Sequence, residues 1–341
     1  MDNKENLYII SNEKISEING GYFCDNIDMK STPEGLNNEF DVHIIARHSK
    51  IDRSHRINLK NIKISKSLLD FLKNVINYNK LKKNRFLIIS ITPYTFLANI
   101  ILRLFGNKTF VYLRSDGYGE YKSILGPLGP VLYHLMFKIT EKFSNFISCR
   151  KHILRGNKGK VIYPSQLNST WFSDIKEINI QEIKLLYVGR VKKEKGIFSL
   201  VDFLKDKKDI SLTIVGEEKN QKNIIQDNVK VHEIQNVTKN LIKFYDDHNI
   251  FVLPSFTEGH PMVVLESLAR QRPVIIFEEI KHIIENKKGI FVSKRDKESF
   301  FKTVEYIKNN IITIQEEMRI NKLPKNKEFI KDLGQSISNL N

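Results

Sequence analysis

From residue 183 to residue 310 the sequence alternates short, wholly apolar runs with segments of helical spacing, and few folds can satisfy that alternation. "IKLLYVGR" (183–190), "ISLTIVGEE" (210–218), "VKVHEI" (229–234), "NIFVLPS" (249–255), "RPVIIF" (272–277) and "GIFVSK" (289–294) have the length and apolar content of strands. "GIFSLVDFLKD", "NLIKFYDDH", "PMVVLESLARQ", "IKHIIENK" and "KESFFKTVEYIKNN" carry helical spacing. A strand with no polar face must be covered on both sides. The pattern therefore predicts an α/β fold with a parallel sheet between helices.

The first half has the same rhythm. Strands are expected at 6–11, 40–48, 61–65, 85–92, 109–116, 144–149 and 160–165, with helices at 66–79, 93–105 and 123–143. A length of 341 residues fits two such domains. The polar, irregular stretch 164–180 is the expected join. The predicted division is 1–165, 166–325 and a helical tail at 326–341. "FLIISITPYTFLANIIL" (86–102) carries no charge, but it is shorter than the ~20 residues of a membrane span and is interrupted by Pro93. It reads as a strand, a turn and a helix start.

Two cysteines, Cys24 and Cys149, supply neither a disulfide framework nor a zinc spacing, so a reducing, cytoplasmic setting is expected. The N-terminus lacks the long apolar core of a signal peptide. Net charge is +16, and residues 41–170 hold 23 Lys/Arg against 6 Asp/Glu, so this half carries the whole excess. Such a field attracts phosphorylated ligands, anionic membrane or nucleic acid. Nucleic acid is disfavoured, because no basic stretch is interleaved with aromatic residues and no binding module is present.

Ligands of doubly wound sheets bind beyond the carboxyl ends of the strands. After the first strand come Gly20 and Gly21, read as a turn before a helix where backbone can approach a phosphate. After the strand at 183 come Arg190, Lys195 and Gly196, two cations beside a helix start. After the strand at 249 comes "PSFTEGHPMVVLE". Pro261 suits a first helical turn, and the free N–H groups of residues 259 to 263, those of Gly259, His260 and Met262 among them, would face an anion. Glu266 lies about one and a half turns inside that helix, where a carboxylate meets ribose hydroxyls in nucleotide sites. Glu258 is available to sugar hydroxyls or, more simply, to the helix dipole.

In order and spacing, "YVGRVKKEKG", "LTIVGEE" and "FVLPSFTEGHPMVVLE" resemble the family 4 retaining glycosyltransferases (glycosyltransferases group 1) of the GT-B fold, over about residues 183–300. The resemblance implies two Rossmann-like domains facing across a cleft and a role in bacterial envelope polysaccharide assembly. It implies sugar transfer, with retention and without a metal, from a nucleotide-diphosphate donor to a glycan or lipid-diphosphate-linked acceptor. No cofactor is implied beyond the donor itself. Arg190 and Lys195 would neutralise the diphosphate, Glu266 would bind ribose, and Glu258 would touch the sugar beside Gly259–Met262. Gly20 and Gly21 would meet the phosphates, and the base would lie near Val215–Glu217, around Gly216, and near Val231–Ile234. A nucleotide-sugar epimerase of the same fold is the alternative. Where the family often has a histidine, this chain has "YLRSDGYGEY". Asp116 there is either the acceptor-side carboxylate, with Arg114 nearby, or a helix cap. "YPSQLN" and "FEEIKHII" also depart from the family pattern. The basic half would favour the inner face of the cytoplasmic membrane, and residues 121–143 are expected in the core in preference to that interface.

Overall fold

A computed structural model describes residues 4–79, 84–216, 226–232 and 241–339. The chain divides into two compact units, Met1–Gln166 with Asn326–Asn341, and Leu167–Lys325.

The first unit contains β1 (Asn6–Ile18), β2 (Gly21–Cys24), α1 (Ile27–Leu36), β3 (Asp41–His48), β4 (His55–Ile57), β5 (Asn61–Ser65) and α2 (Leu68–Asn79). It continues with β6 (Arg85–Ile89), α3 (Pro93–Leu104), β7 (Thr109–Leu113), α4 (Gly117–Leu125), α5 (Leu128–Glu141), β8 (Ser144–Ser148) and β9 (Gly159–Val161). The parallel order is β5-β3-β1-β6-β7-β8-β9, so the winding reverses between β1 and β6. Ile9, Ile44, Ile88, Val111 and Ile147 form the middle of its core. The uncharged segment 86–102 is strand β6 and helix α3, joined at Thr92, whose hydroxyl forms a capping box with Thr95.

Three local expectations change. The first strand does not end at residue 11. After an irregularity between Ile10 and Lys14 it runs on to Ile18 and pairs antiparallel with β2, which pairs with β4. Gly20 therefore precedes a strand that Gly21 opens, and not a helix. Asn19 and Gly20 both have positive φ, 49° and 73°, the demand of a two-residue hairpin turn. The helix expected at 123–143 is two helices, broken where Gly126 takes φ 64° ahead of Pro127. The final helix (326–338), expected as a separate tail, belongs to the first unit: Ile330 meets Gly35, and the Phe329 ring lies tilted against Tyr112.

The second unit contains β10 (Ile183–Val188), α6 (Ile197–Phe203), β11 (Ile210–Val215), β12 (Val229–His232), α7 (Leu241–Asp246), β13 (Ile250–Leu253) and α8 (Met262–Ala269). Then follow β14 (Val274–Phe277), β15 (Ile290–Ser293), α9 (Lys297–Asn309) and α10 (Ile311–Met318). Among the described residues its strands pair in parallel, in the order β12-β11-β10-β13-β14-β15, and the winding reverses between β10 and β13. The helix expected from "IKHIIENK" is a short 3-10 turn at Glu278–Ile283, in which Ile280 leaves helical dihedrals.

Two buried arginines fasten the start of this unit. Arg270 donates to the carbonyls of Trp171, Ser173 and Asp174 and to both oxygens of Asp246. Arg272 donates to the carbonyls of Tyr245 and Lys176. The irregular stretch after residue 167 is thus pinned by charge-assisted bonds and not by secondary structure.

Candidate functional site

Side chains that follow the strands converge where the strand order reverses, between β10 and β13. Arg190 follows β10 and is exposed; its carbonyl accepts from the buried Tyr187 hydroxyl at 2.8 Å. Burial, then the Glu258 carboxylate, push the Tyr187 phenol well above its ordinary range, so it stays a donor. A turn at Lys193–Lys195 ends at Gly196, whose φ is 67°. A Cβ there would stand 1.9 Å from the Pro254 carbonyl, so only glycine lets this turn lie against the end of β13.

That close approach brings Lys195 to Glu258. Lys195 Nζ donates to Glu258 Oε1 at 2.6 Å, and Ser255 Oγ donates to the same oxygen at 2.6 Å. Both side chains of the ion pair are largely shielded, at 20% and 12% exposure. The residues expected to serve the diphosphate and the sugar are therefore in direct contact.

The loop that carries Glu258 is propped from behind. His282 Nε2 donates to the Glu258 carbonyl at 2.9 Å. Arg295 donates to the carbonyls of Pro254 and Ser255, lies over the Phe256 ring at 3.9 Å and pairs with Glu279 at 2.7 Å. The Arg295 guanidinium holds the Glu279 carboxyl below its ordinary value. The departure "FEEIKHII" thus supplies Glu279 and His282 as supports of the loop.

Helix α8 begins at Met262, with Pro261 one residue before it at φ −73° and ψ 108°. As in any helix, its first N–H groups have no intrahelical acceptor, and they follow Gly259 and His260 directly. Glu266 sits in its middle, mostly buried, and accepts from the fully buried Tyr245 hydroxyl at 2.9 Å. Burial, then Glu266, raise the Tyr245 phenol far above its ordinary range and keep it protonated. Gly216 directly follows β11, and a Cβ there would meet the Gly189 carbonyl at 2.2 Å. The base contacts expected at Glu217 and at 233–234 lie outside the described residues.

Arg190, Lys195, Glu258, Gly259, His260, Pro261, Met262 and Glu266 all fall in the second unit, at the ends of β10 and β13. Gly20, Gly21 and Asp116 belong to the first. Gly20 is the exposed tip of the β1–β2 hairpin. Asp116 caps α4 through the Tyr118 N–H at 3.2 Å, and Arg155 meets both its oxygens at 3.2 Å.

The first unit has its own pocket, of about 620 Å³, at the irregularity in the middle of β1 and the carboxyl ends of β6 and β7. Ser11, Ser90, Arg114 and Tyr121 line it, and its carboxylates are Glu13 and Glu120 rather than Asp116. Arg114 is fixed by Asp28, and Glu120 accepts from Ser115 Oγ at 2.8 Å. Tyr187, Tyr245, Ser255, Glu120, His282 and Arg295 escaped the sequence reading. Tyr245, His282 and Arg295 act through partners distant in sequence, whereas Tyr187, Ser255 and Glu120 act through near neighbours, Arg190, Glu258 and Ser115.

Residues 171–323 match the family described as glycosyl transferases group 1. No curated protein sequence matches the chain. Among solved structures, sucrose-phosphate synthase from Thermosynechococcus elongatus is similar with a TM-score of 0.74 at 16% identity, covering 98% of each chain. Anabaena Alr3699/HepE in complex with UDP and glucose gives 0.68 at 12%, covering 99% of this chain and 100% of that one. WaaG, a glycosyltransferase involved in lipopolysaccharide biosynthesis, gives 0.68 at 13%, covering 98% and 100%. At these identities the likeness establishes the fold, which is GT-B, with two Rossmann-like units. The Lys195–Glu258 pair and the α8 helix start both lie within the segment 171–323 that matches the glycosyl transferases group 1 family.

Proposed function

We propose that this protein transfers a sugar from a nucleoside-diphosphate donor to a glycan or lipid-diphosphate-linked acceptor, with retention and without a metal. One observation carries the reading: Lys195, bonded to Glu258, stands with Arg190 and the α8 start at the reversal of the second sheet. The complex of the similar Anabaena protein with UDP and glucose supports a nucleotide-sugar donor.

The anomeric C–O bond breaks, and its electron pair goes to the leaving phosphate oxygen. Arg190, Lys195 and the backbone N–H groups of Gly259, His260 and Met262 stabilise that charge in place of a metal. Glu266, oriented by Tyr245, holds the ribose, and Glu258 holds the transferred sugar, with His260 beside it. Gly216 borders the base. The acceptor oxygen bonds to the anomeric carbon on the face the phosphate leaves, and its proton passes to the phosphate. Asp116, or Glu120 inside the first unit's pocket, orients that acceptor hydroxyl. The enzyme works in the cytoplasm at the inner face of the membrane, in envelope polysaccharide assembly. Among the described residues no helix is long and apolar enough to cross a membrane.

A screen of nucleotide sugars by thermal shift identifies the donor, since a bound donor raises the melting temperature. Release of nucleoside diphosphate with the donor identified in that screen then drops in Lys195→Ala and Arg190→Ala. Unchanged turnover in both would remove the charge argument. An epimer formed from donor alone would replace transfer by epimerisation.

A further inference from the structure

Helix α5 has two apolar faces. Tyr133, Met136, Phe137 and Thr140 point into the core of the first unit. Leu128, Val131, Leu132 and Leu135 recur at the spacing of a second stripe, and that stripe faces water: Leu128 is 74% and Val131 67% exposed. Ile124 and Leu125 at the end of α4 extend it. The expectation that 121–143 packs in the core holds for only one of these faces.

The rim of the stripe is basic. Lys122, Lys138 and Lys142 are exposed, and the one acidic residue of α5, Glu141, is paired with Lys138 at 2.9 Å. At the far end, Arg103 lies over the half-exposed Phe143 ring, at 5.5 Å from its centroid. An apolar stripe between cations suits an acyl boundary beneath anionic headgroups. It suits a second copy of this chain poorly, because a two-fold contact would oppose lysine to lysine.

The stripe is also continuous with the pocket of the first unit. Ile124, Leu125 and Leu132 belong to both, and beyond them the wall turns polar at Glu120, Arg114 and Ser90. We infer that the α4–α5 face lies in the surface of an anionic bilayer, so that the pocket opens at headgroup level and takes an acceptor carried on a lipid. This deepens the proposed reaction and rests on it for the acceptor alone; the bilayer contact stands on the surface itself.

The test is flotation of the full chain with vesicles of equimolar phosphatidylglycerol and phosphatidylcholine, and with phosphatidylcholine alone. Binding is expected to the anionic vesicles at low salt and to weaken as salt rises. The triple variant Leu128→Ser, Val131→Ser, Leu135→Ser, and separately Lys122→Ser with Lys142→Ser, should each weaken it by on the order of tenfold. All five side chains are exposed, so melting temperature and the thermal shift given by the donor should not change. Loss of vesicle binding with an intact donor shift supports the inference. Absence of wild-type binding, or equal binding by both variants, overturns it and leaves the donor reading untouched. A wild-type dimer in light scattering that the triple variant dissolves would assign the face to a second copy and overturn it as well.

Discussion

Lys195 and Glu258 form one ion pair at 2.6 Å, so the cation expected at the diphosphate and the carboxylate expected at the sugar are a single coupled unit. On the proposed function, a donor entering this site would compete with Glu258 for Lys195. Residues that act as a unit give non-additive losses. Lys195→Ala is predicted to lower kcat/KM by on the order of 100-fold, and Lys195→Ala with Glu258→Ala to fall hardly further. Steady-state kinetics of the four proteins in the cycle decide this, and strict additivity would separate the two roles.

Tyr245 positions Glu266 through one hydroxyl, and removing that oxygen leaves the ring in place. Tyr245→Phe is expected to weaken nucleotide affinity by roughly fivefold, the worth of about 1 kcal/mol for one hydrogen bond. Calorimetric titration with UDP, and with other nucleoside diphosphates, measures it. The Glu266→Gln variant should lose more than Tyr245→Phe; equal affinity in all three proteins would move the ribose elsewhere.

Arg270 is buried, bonded to three carbonyls of the unit's first segment and paired with Asp246, whose carboxylate is almost as buried. Arg270→Ala strands that carboxylate, with Arg272 at 3.8 Å as its remaining charged partner. The predicted cost is about 3 kcal/mol, read from the urea midpoint. Arg270→Lys should rescue little, because an ammonium cannot reach the same fork of acceptors.

His248 bridges the Phe244 carbonyl at 2.6 Å and the Thr213 hydroxyl at 2.7 Å. The carbonyl can only accept, so Nδ1 carries the proton and the neutral ring takes the hydroxyl at Nε2. Burial lowers its pKa below the ordinary 6.5. As pH falls the unfolded chain binds the proton first, so this contribution is complete above the unfolded value and lost as pH drops through the folded one. Stability should therefore decline from about pH 7 to pH 5, and His248→Gln should flatten that decline in urea titrations run across the range.

Much of this was legible in the sequence, for a physical reason. Strands β10 to β15 had to be covered on both faces, and their order along the chain announced a doubly wound sheet. The spacing from Arg190 to Lys195 and from Glu258 to Glu266 is local, and local spacing survives folding. Where local signals competed, the reading slipped. Asn19–Gly20 is a hairpin signal as strong as Gly20–Gly21 is weak, and Gly126–Pro127 is strong enough to break a helix.

What only the tertiary structure decided were contacts between residues far apart in sequence. Sixty-three positions separate Lys195 from Glu258, and twenty-four separate His282 from the carbonyl it supports. Their meeting depends on Gly196 yielding space to the Pro254 carbonyl and on Arg295 gripping the end of β13. The two faces of α5 belong to the same class. Hydropathy marks that helix as apolar, but only packing shows which side the core consumes and which it leaves to water.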